Sequence, residues 1–168
     1  MRKAIFLAAA LLFAFAGTAS ASAAPGRPAM VSGHYTYDFS HISGIAGDSR
    51  TVTLIATDAR SPKGLFLRRV NGTTFYTLGT VKCLAVSGSD AWVAGPVTRT
   101  QDGPADGSLW LLLRLHDGKL SGGRGDRVMT FGETPADGMS LCRSMAHGDL
   151  DAAMWPISSG NVSIVAGH

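Results

Sequence analysis

Five histidines carry the only imidazoles available for acid–base or metal chemistry: His34, His41, His116, His147 and His168. No two stand four residues apart, as a helical zinc site requires, and no Cys-x-x-Cys is present. His34 and His41 would meet only across a loop and read as surface residues. His116 abuts a turn, and His168 ends the chain. A serine nucleophile on a strand–helix elbow needs Gly-x-Ser-x-Gly. Gly138-Met139-Ser140-Leu141-Cys142 approaches that pattern but lacks the final glycine. Paired carboxylates could cleave glycosides. Asp102 and Asp106 sit in a Gly-Pro loop, however, and Asp149 and Asp151 flank Leu150, so all four read as turn and cap residues. Asp137, Asp149 and Asp151 lack the ligand spacing of an EF-hand.

Three further patterns carry little chemistry. Gly122-Gly123-Arg124-Gly125 has neither the Lys-Ser/Thr nor the following helix of a phosphate loop. Arg124-Gly125-Asp126 matches an adhesion tripeptide in letters only. Asn71-Gly72-Thr73 and Asn161-Val162-Ser163 are formal glycosylation acceptors, but the first is better used as a turn and the second opens a strand. No catalytic residue, metal ligand or cofactor site is therefore expected. The aromatic residues remain. Trp92, Trp110, Tyr76 and Phe66 are the candidates for a ligand-facing platform, provided they share an outer face. Facing inward, they are core.

The elements that would position these residues begin after a leader. Arg2 and Lys3 precede an apolar run from Ala4 to Ala16, followed by small residues up to Ala23. That is a secretory signal peptide over residues 1–23, cut near Ala23. The run is too short for a membrane span, which needs roughly 18 or more apolar residues. No later run is long enough either, so no transmembrane segment is expected after cleavage. Removing Arg2 and Lys3 lowers the basic count from 15 to 13 against 12 acids, so the net charge falls from +3 to +1. The remaining basic residues are scattered, which argues against a nucleic-acid partner. Two cysteines in an exported chain make Cys83–Cys142 a disulfide by default. Two free thiols or a nucleophilic cysteine are the alternatives.

Residues 24–32 read as a flexible leader and 33–166 as a single domain. Tyr35, Tyr37 and Phe39 alternate with polar residues, as do Val52, Leu54 and Ala56, giving two half-buried strands. Gly64–Val70 is a third, with Leu65 and Leu67 on one face. Asn71-Gly72 signals a hairpin into a long fourth strand, Thr73–Val86, bent at Gly79. Ser87–Asp90 turns the chain into a fifth strand, Ala91–Arg99, in which Pro96 marks an edge or bulge. After a loop at Thr100–Gly107, Leu109–His116 is the most apolar strand, and Asp117-Gly118 makes the next hairpin turn. Asp126–Phe131 and Asn161–Ala166 complete the set, with a helical turn expected within Ala146–Pro156. About eight short strands with sequential connections predict an all-β fold. A single antiparallel β-barrel or a two-sheet sandwich would bury these faces, and barrel closure removes the exposed edges.

The order Lys82-Cys83-Leu84-Ala85-Val86, turn, Ala91-Trp92-Val93-Ala94-Gly95 resembles the middle of a family of small secreted bacterial β-domain proteins of uncharacterised function. Leu113–Gly118, Gly125–Arg127, the late Cys142 and Ser159–Ile164 extend the likeness over residues 31–166. Lys82 stands where the family carries Asp. The resemblance implies export and a β fold, and supplies no catalytic residue. The expected function is that of a secreted or cell-envelope, non-enzymatic binding module. Its partner is unknown; a small apolar or glycan ligand, the former at a barrel end, is the candidate. Two alternatives stand beside it. One is a small secreted hydrolase assembled from distant Asp, His and Ser residues, since such sites are recognised by geometry. The other is a disulfide-hardened structural module with no ligand.

Overall fold

The computed structural model describes residues 26–58, 61–120, 122, 125–144 and 154–167, with the side chains of His41 and Ile42 excepted. The expected signal peptide and cleavage point, His147, His168, Asp149, Asp151, Arg124 and most of the expected helical turn lie outside the described residues. The strands are β1 (Met30–Asp38), β2 (Ser49–Thr57), β3 (Lys63–Val70), β4 (Tyr76–Thr80), β5 (Cys83–Ser87), β6 (Asp90–Thr100), β7 (Gly103–Pro104), β8 (Trp110–His116), β9 (Arg127–Glu133) and β10 (Trp155–Val165). Two helices interrupt them: the single turn α1 (Ser40–Ser43) and α2 (Pro135–Ser144).

The strands form a closed, eight-stranded antiparallel barrel in the order β4-β3-β2-β1-β10-β9-β8-β6, sealed where β6 pairs with β4. Closure pairs β4 with β6 and so covers edges that an open sheet would expose. β5 continues β4 after a break at Val81-Lys82 and pairs with the first half of β6, while β4 pairs with its second half. The expected fourth strand is thus one path in two pieces. The break is permitted by glycine. A Cβ on Gly79 would stand 2.0 Å from the Phe66 ring, and one on Gly95 1.8 Å from the Thr80 carbonyl oxygen. Pro96 lies in this transition, where a missing donor is tolerated.

Alternation places Val31, Tyr35 and Tyr37 of β1, Val52, Leu54 and Ala56 of β2, and Phe66 of β3 in the interior. Leu111, Leu113 and Leu115 meet them from β8. Trp110, Leu112 and Arg114 point the other way, yet they are also buried, because α2 covers this side of the barrel. That second cover explains why Trp110–Leu115 reads as an almost unbroken apolar run. Beneath α2, Trp92, Ala94, Trp110 and Leu112 pack with the Cys83–Cys142 disulfide as a separate cluster.

Several boundaries differ from the sequence expectation. β1 starts at Met30, inside the expected leader, because Met30–Ser32 pair with both β10 and β2. Leu65 and Leu67 do share a face, but it is the outer one, and Leu65 is exposed. Asn71-Gly72 does not form a two-residue turn. The loop runs from Asn71 to Phe75, because Thr73 accepts from Phe75 N and donates to Val70 O. Asp117-Gly118 likewise opens a longer connection. Asp117 and Asp126 accept bonds from the backbone amides of Lys119, Gly118, Ile164 and Val162, tying that connection to β10. Leu109 lies outside β8 and is exposed, and Ala166 lies beyond β10. Trp155 and Pro156, read as part of a helical turn, begin β10 and pair with β9. Helix α2 was not expected. Its start is nonetheless written in the sequence: Pro135 occupies the first turn, and Thr134 and Asp137 cap it reciprocally.

Candidate ligand site at the barrel mouth

One end of the barrel is closed by aromatic rings. Tyr37 stacks on Trp155 at 5.8 Å, and Phe39 meets Trp155 edge-on at 5.5 Å. Alternation carries Tyr37 inward, and Phe39 follows just past the strand. Such pairs contribute about 1 kcal/mol each beyond their area burial. The Arg50 guanidinium lies 3.9 Å over the Phe39 ring. Its Nη2 donates to Asp48 Oδ2 at 3.0 Å and its Nε to Oδ1 at 3.4 Å. This hydrogen bond from Arg50 holds the Asp48 carboxyl below its ordinary range, against the opposing effect of burial.

Register places a second arginine one layer deeper. Arg50 is level with Tyr37 and Val70, whereas Arg68 is level with Val52 and Thr77. Burial depresses the Arg68 pKa, opposed by Tyr37 and Asp48. The phenol of Tyr37 is pushed up to about 12 by burial, opposed by the nearby Arg68 and Arg50 charges and the Thr130 hydroxyl. Tyr35 is raised by burial and by Tyr37. Arg68 Nε and the hydroxyls of Tyr35, Tyr37, Thr77 and Thr130 are buried without a well-formed hydrogen bond. An apolar barrel interior therefore ends in a layer of buried polar groups.

Above this floor, two loops form a groove of about 480 Å³. The β1–β2 loop contributes Ile45, Ala46 and Gly47, and the β3–β4 loop contributes Asn71, Thr73 and Phe75. Both loops are held by their own bonds. Asp48 N donates to Ile45 O, and Phe39 N donates to Asp48 O. Asn71 Nδ2 donates to Ser49 Oγ while its Oδ1 accepts from Thr51 Oγ1, so its amide is fixed at both ends. Ile45 and Phe75 are exposed on opposite loops. The result is a preformed concavity with apolar rims, whose charged lining is the Arg50–Asp48 pair.

The four aromatic candidates do not share a platform. Phe66 is buried inside the barrel, Tyr76 is half-buried at the start of β4, and Trp92 and Trp110 lie in the cluster beneath α2. Trp92, with Met129, Phe131 and Leu141, also lines a smaller, largely apolar cavity of about 220 Å³ beside α2. Trp110 is covered by the helix at Gly138, where a Cβ would come within 3.2 Å of its ring.

The titratable candidates are dispersed as well. His34 Nδ1 lies 2.9 Å from Thr53 Oγ1 on the outer wall, whereas His116 Nδ1 lies 3.4 Å from Asp90 Oδ1. Asp106 caps Ser108, which lowers its pKa, and Asp102 accepts from Gln101. Asp137 caps α2. Among the described residues, no three His, Cys, Asp or Glu side chains gather as a metal site would require.

Phe39, Asp48, Arg50, Arg68 and Trp155 were not singled out from the sequence. A signal for the arginines existed. Arg50 continues the Val52, Leu54, Ala56 face of β2, and Arg68 continues the Phe66 face of β3, so alternation itself turns both inward. Comparison of the chain with protein-family models, curated proteins and solved structures finds no match, so the functional reading rests on this geometry.

Proposed function

We propose that the protein is an exported, non-enzymatic binding module that takes a small, largely apolar ligand in the groove at the barrel mouth. The carrying observation is the preformed groove between two hydrogen-bonded loops, rimmed by exposed Ile45 and Phe75. Loops already fixed lose little conformational entropy when a ligand arrives. Barrel mouths are recurrent ligand sites. Export is supported by the charged, apolar and small-residue pattern of residues 1–23 and by the Cys83–Cys142 bridge. Among the described residues, no helix is long and apolar enough to cross a membrane. The resemblance to small secreted bacterial β-domains points the same way and lends no catalytic residue.

The test is a thermal-shift screen of the oxidised protein against small apolar molecules and glycans, followed by NMR mapping of the best binder. The expected result is a midpoint that rises with ligand concentration, with chemical-shift changes at Ile45, Asn71 and Phe75. The double variant Ile45→Ser/Phe75→Ser should bind roughly tenfold or more weakly, since it removes two apolar contacts. Its melting temperature should barely change, because both side chains are exposed. Shifts confined to Trp92 and Leu141 would move the site to the cavity beside α2 and overturn this placement.

A further inference from the structure

We infer that the groove selects an anionic ligand: one carboxylate carried on an apolar body. This rests on the barrel-mouth reading above and adds to it the sign of the ligand's charge. Arg50 and Asp48 line the groove, and the Arg68 guanidinium lies one layer deeper, so two guanidinium groups stand against a single buried carboxylate. Both Asp48 oxygens are taken by Arg50, and the Asp48 side chain is only 5% exposed. A cationic ligand therefore finds no carboxylate to meet. Arg50, by contrast, spends Nε and Nη2 on Asp48 and makes no hydrogen bond through Nη1. Arg50 lines the groove, and Nη1 is its one nitrogen not committed to Asp48.

Behind it, Arg68 has no acid of its own. Its Nε is buried and unpartnered, and the nearest negative charge, Asp48, is already committed. A buried cation without a counterion is costly, and an anion brought into the groove would reduce that cost. Asp38 and Arg69 on the outer faces of β1 and β3, and Arg99 and Asp102 at the end of β6, are exposed and screened by solvent. Arg50, Arg68 and Asp48 together sum to one positive charge in and beneath the groove. Ile45, Val70 and Phe75 supply the apolar contact for the rest of the molecule.

The experiment compares three probes of equal length (octanoate, octanol and octylammonium) titrated into the oxidised protein and read by chemical shifts at Ile45 and Phe75. Octanoate should bind at least fivefold more tightly than octanol at low salt, and octylammonium more weakly than either, as expected for one unit charge a few ångströms from a partly screened guanidinium. The octanoate advantage should collapse toward onefold by about 0.5 M NaCl, where screening is nearly complete at this range. Asp48→Asn removes the only negative charge of the floor without emptying space and should widen the advantage several-fold. Arg68→Met should narrow it, and Asp48→Asn decides the matter independently of how well Arg68→Met folds. Equal binding of octanoate and octanol, both sensitive to Ile45→Ser/Phe75→Ser, would overturn the charge selection and leave the apolar site standing. If no probe perturbs Ile45 or Phe75, the groove reading falls and the charge inference falls with it.

Discussion

Tyr37 shows how much a single buried hydroxyl can say. Its ring stacks on Trp155, while its oxygen has no well-formed hydrogen bond and lies near two arginines. Burial pushes its phenol up to about 12, and that of Tyr35 upward as well. In the unfolded chain both ionise near their ordinary pKa of about 10. The folded form thus keeps protons that the unfolded form releases. Stability is fully present below about pH 10 and is lost as pH rises toward about 12. For Tyr37 the loss amounts to about 3 kcal/mol over that window. Denaturant melts at pH 9, 10 and 11 should show the decline, and Tyr37→Phe should flatten it. At neutral pH the same substitution should change stability by no more than about 1 kcal/mol, because the hydroxyl it removes is poorly satisfied. A Tyr37→Phe melt as steep as the parent's between pH 10 and 11 would show that Tyr37 is not the group responsible.

Helix α2 is the element whose position depends most on a single bond. It lies across β5, β6 and β8, and the Cys83–Cys142 bridge closes a loop of 59 residues between it and β5. On the chain-entropy model, a loop of that size stabilises the fold by about 4 kcal/mol. The helix also covers Trp110, with Gly138 providing the close approach. Cys83→Ser/Cys142→Ser should therefore lower the denaturation midpoint substantially. Its tryptophan emission should shift to the red as Trp92 and Trp110 meet water. The groove between the β1–β2 and β3–β4 loops shares no residue with this cluster, so ligand affinity should be retained at temperatures where the variant is folded. An unchanged midpoint would show that packing alone holds α2 in place.

At the scale of the whole molecule, the barrel depends on a short seam. β4 and β6 close it through Thr77, Leu78 and Gly79 only, with a register shift inside that span. Gly95 sits beside the seam, where the chain crosses from β4 to β5. A methyl group there would overlap the Thr80 carbonyl, which cannot move without breaking the path of β4. Gly95→Ala should destabilise the fold by about 3 kcal/mol, the cost of strong overpacking. Amide exchange should accelerate first in β4 and the second half of β6. Exchange that accelerates uniformly around the barrel would mean that closure does not depend on this crossing. The same closure explains why the interior is a packed core and why the larger groove lies above the aromatic layer. Eight strands leave an interior just wide enough for side chains to fill, and Tyr35, Tyr37, Phe66 and the β8 leucines fill it.

Local rules written in the sequence determined the class of fold and most strands. Period-two alternation gave the inward faces of β1, β2 and β8, because a strand wetted or packed unequally on its two sides must alternate. Two cysteines in a chain read as exported predicted the bridge. The cap of α2 was legible in Thr134, Pro135 and Asp137, and inward-pointing Arg50 and Arg68 were legible from the strand period, although apolar residues drew the attention. Other features belong to the tertiary structure alone. Asn71-Gly72 and Asp117-Gly118 look like tight turns, yet their loop lengths were set by side-chain bonds to Val70, Ile164 and Val162. Barrel was decided over sandwich by the β4–β6 seam, a long-range pairing that no local pattern encodes. The candidate site is part local and part long-range. Phe39, Asp48, Arg50, Asn71 and Phe75 meet because β1 to β4 are successive antiparallel strands, whereas Trp155 joins them through the long-range pairing of β10 with β1, since strand register fixes which residues share a layer.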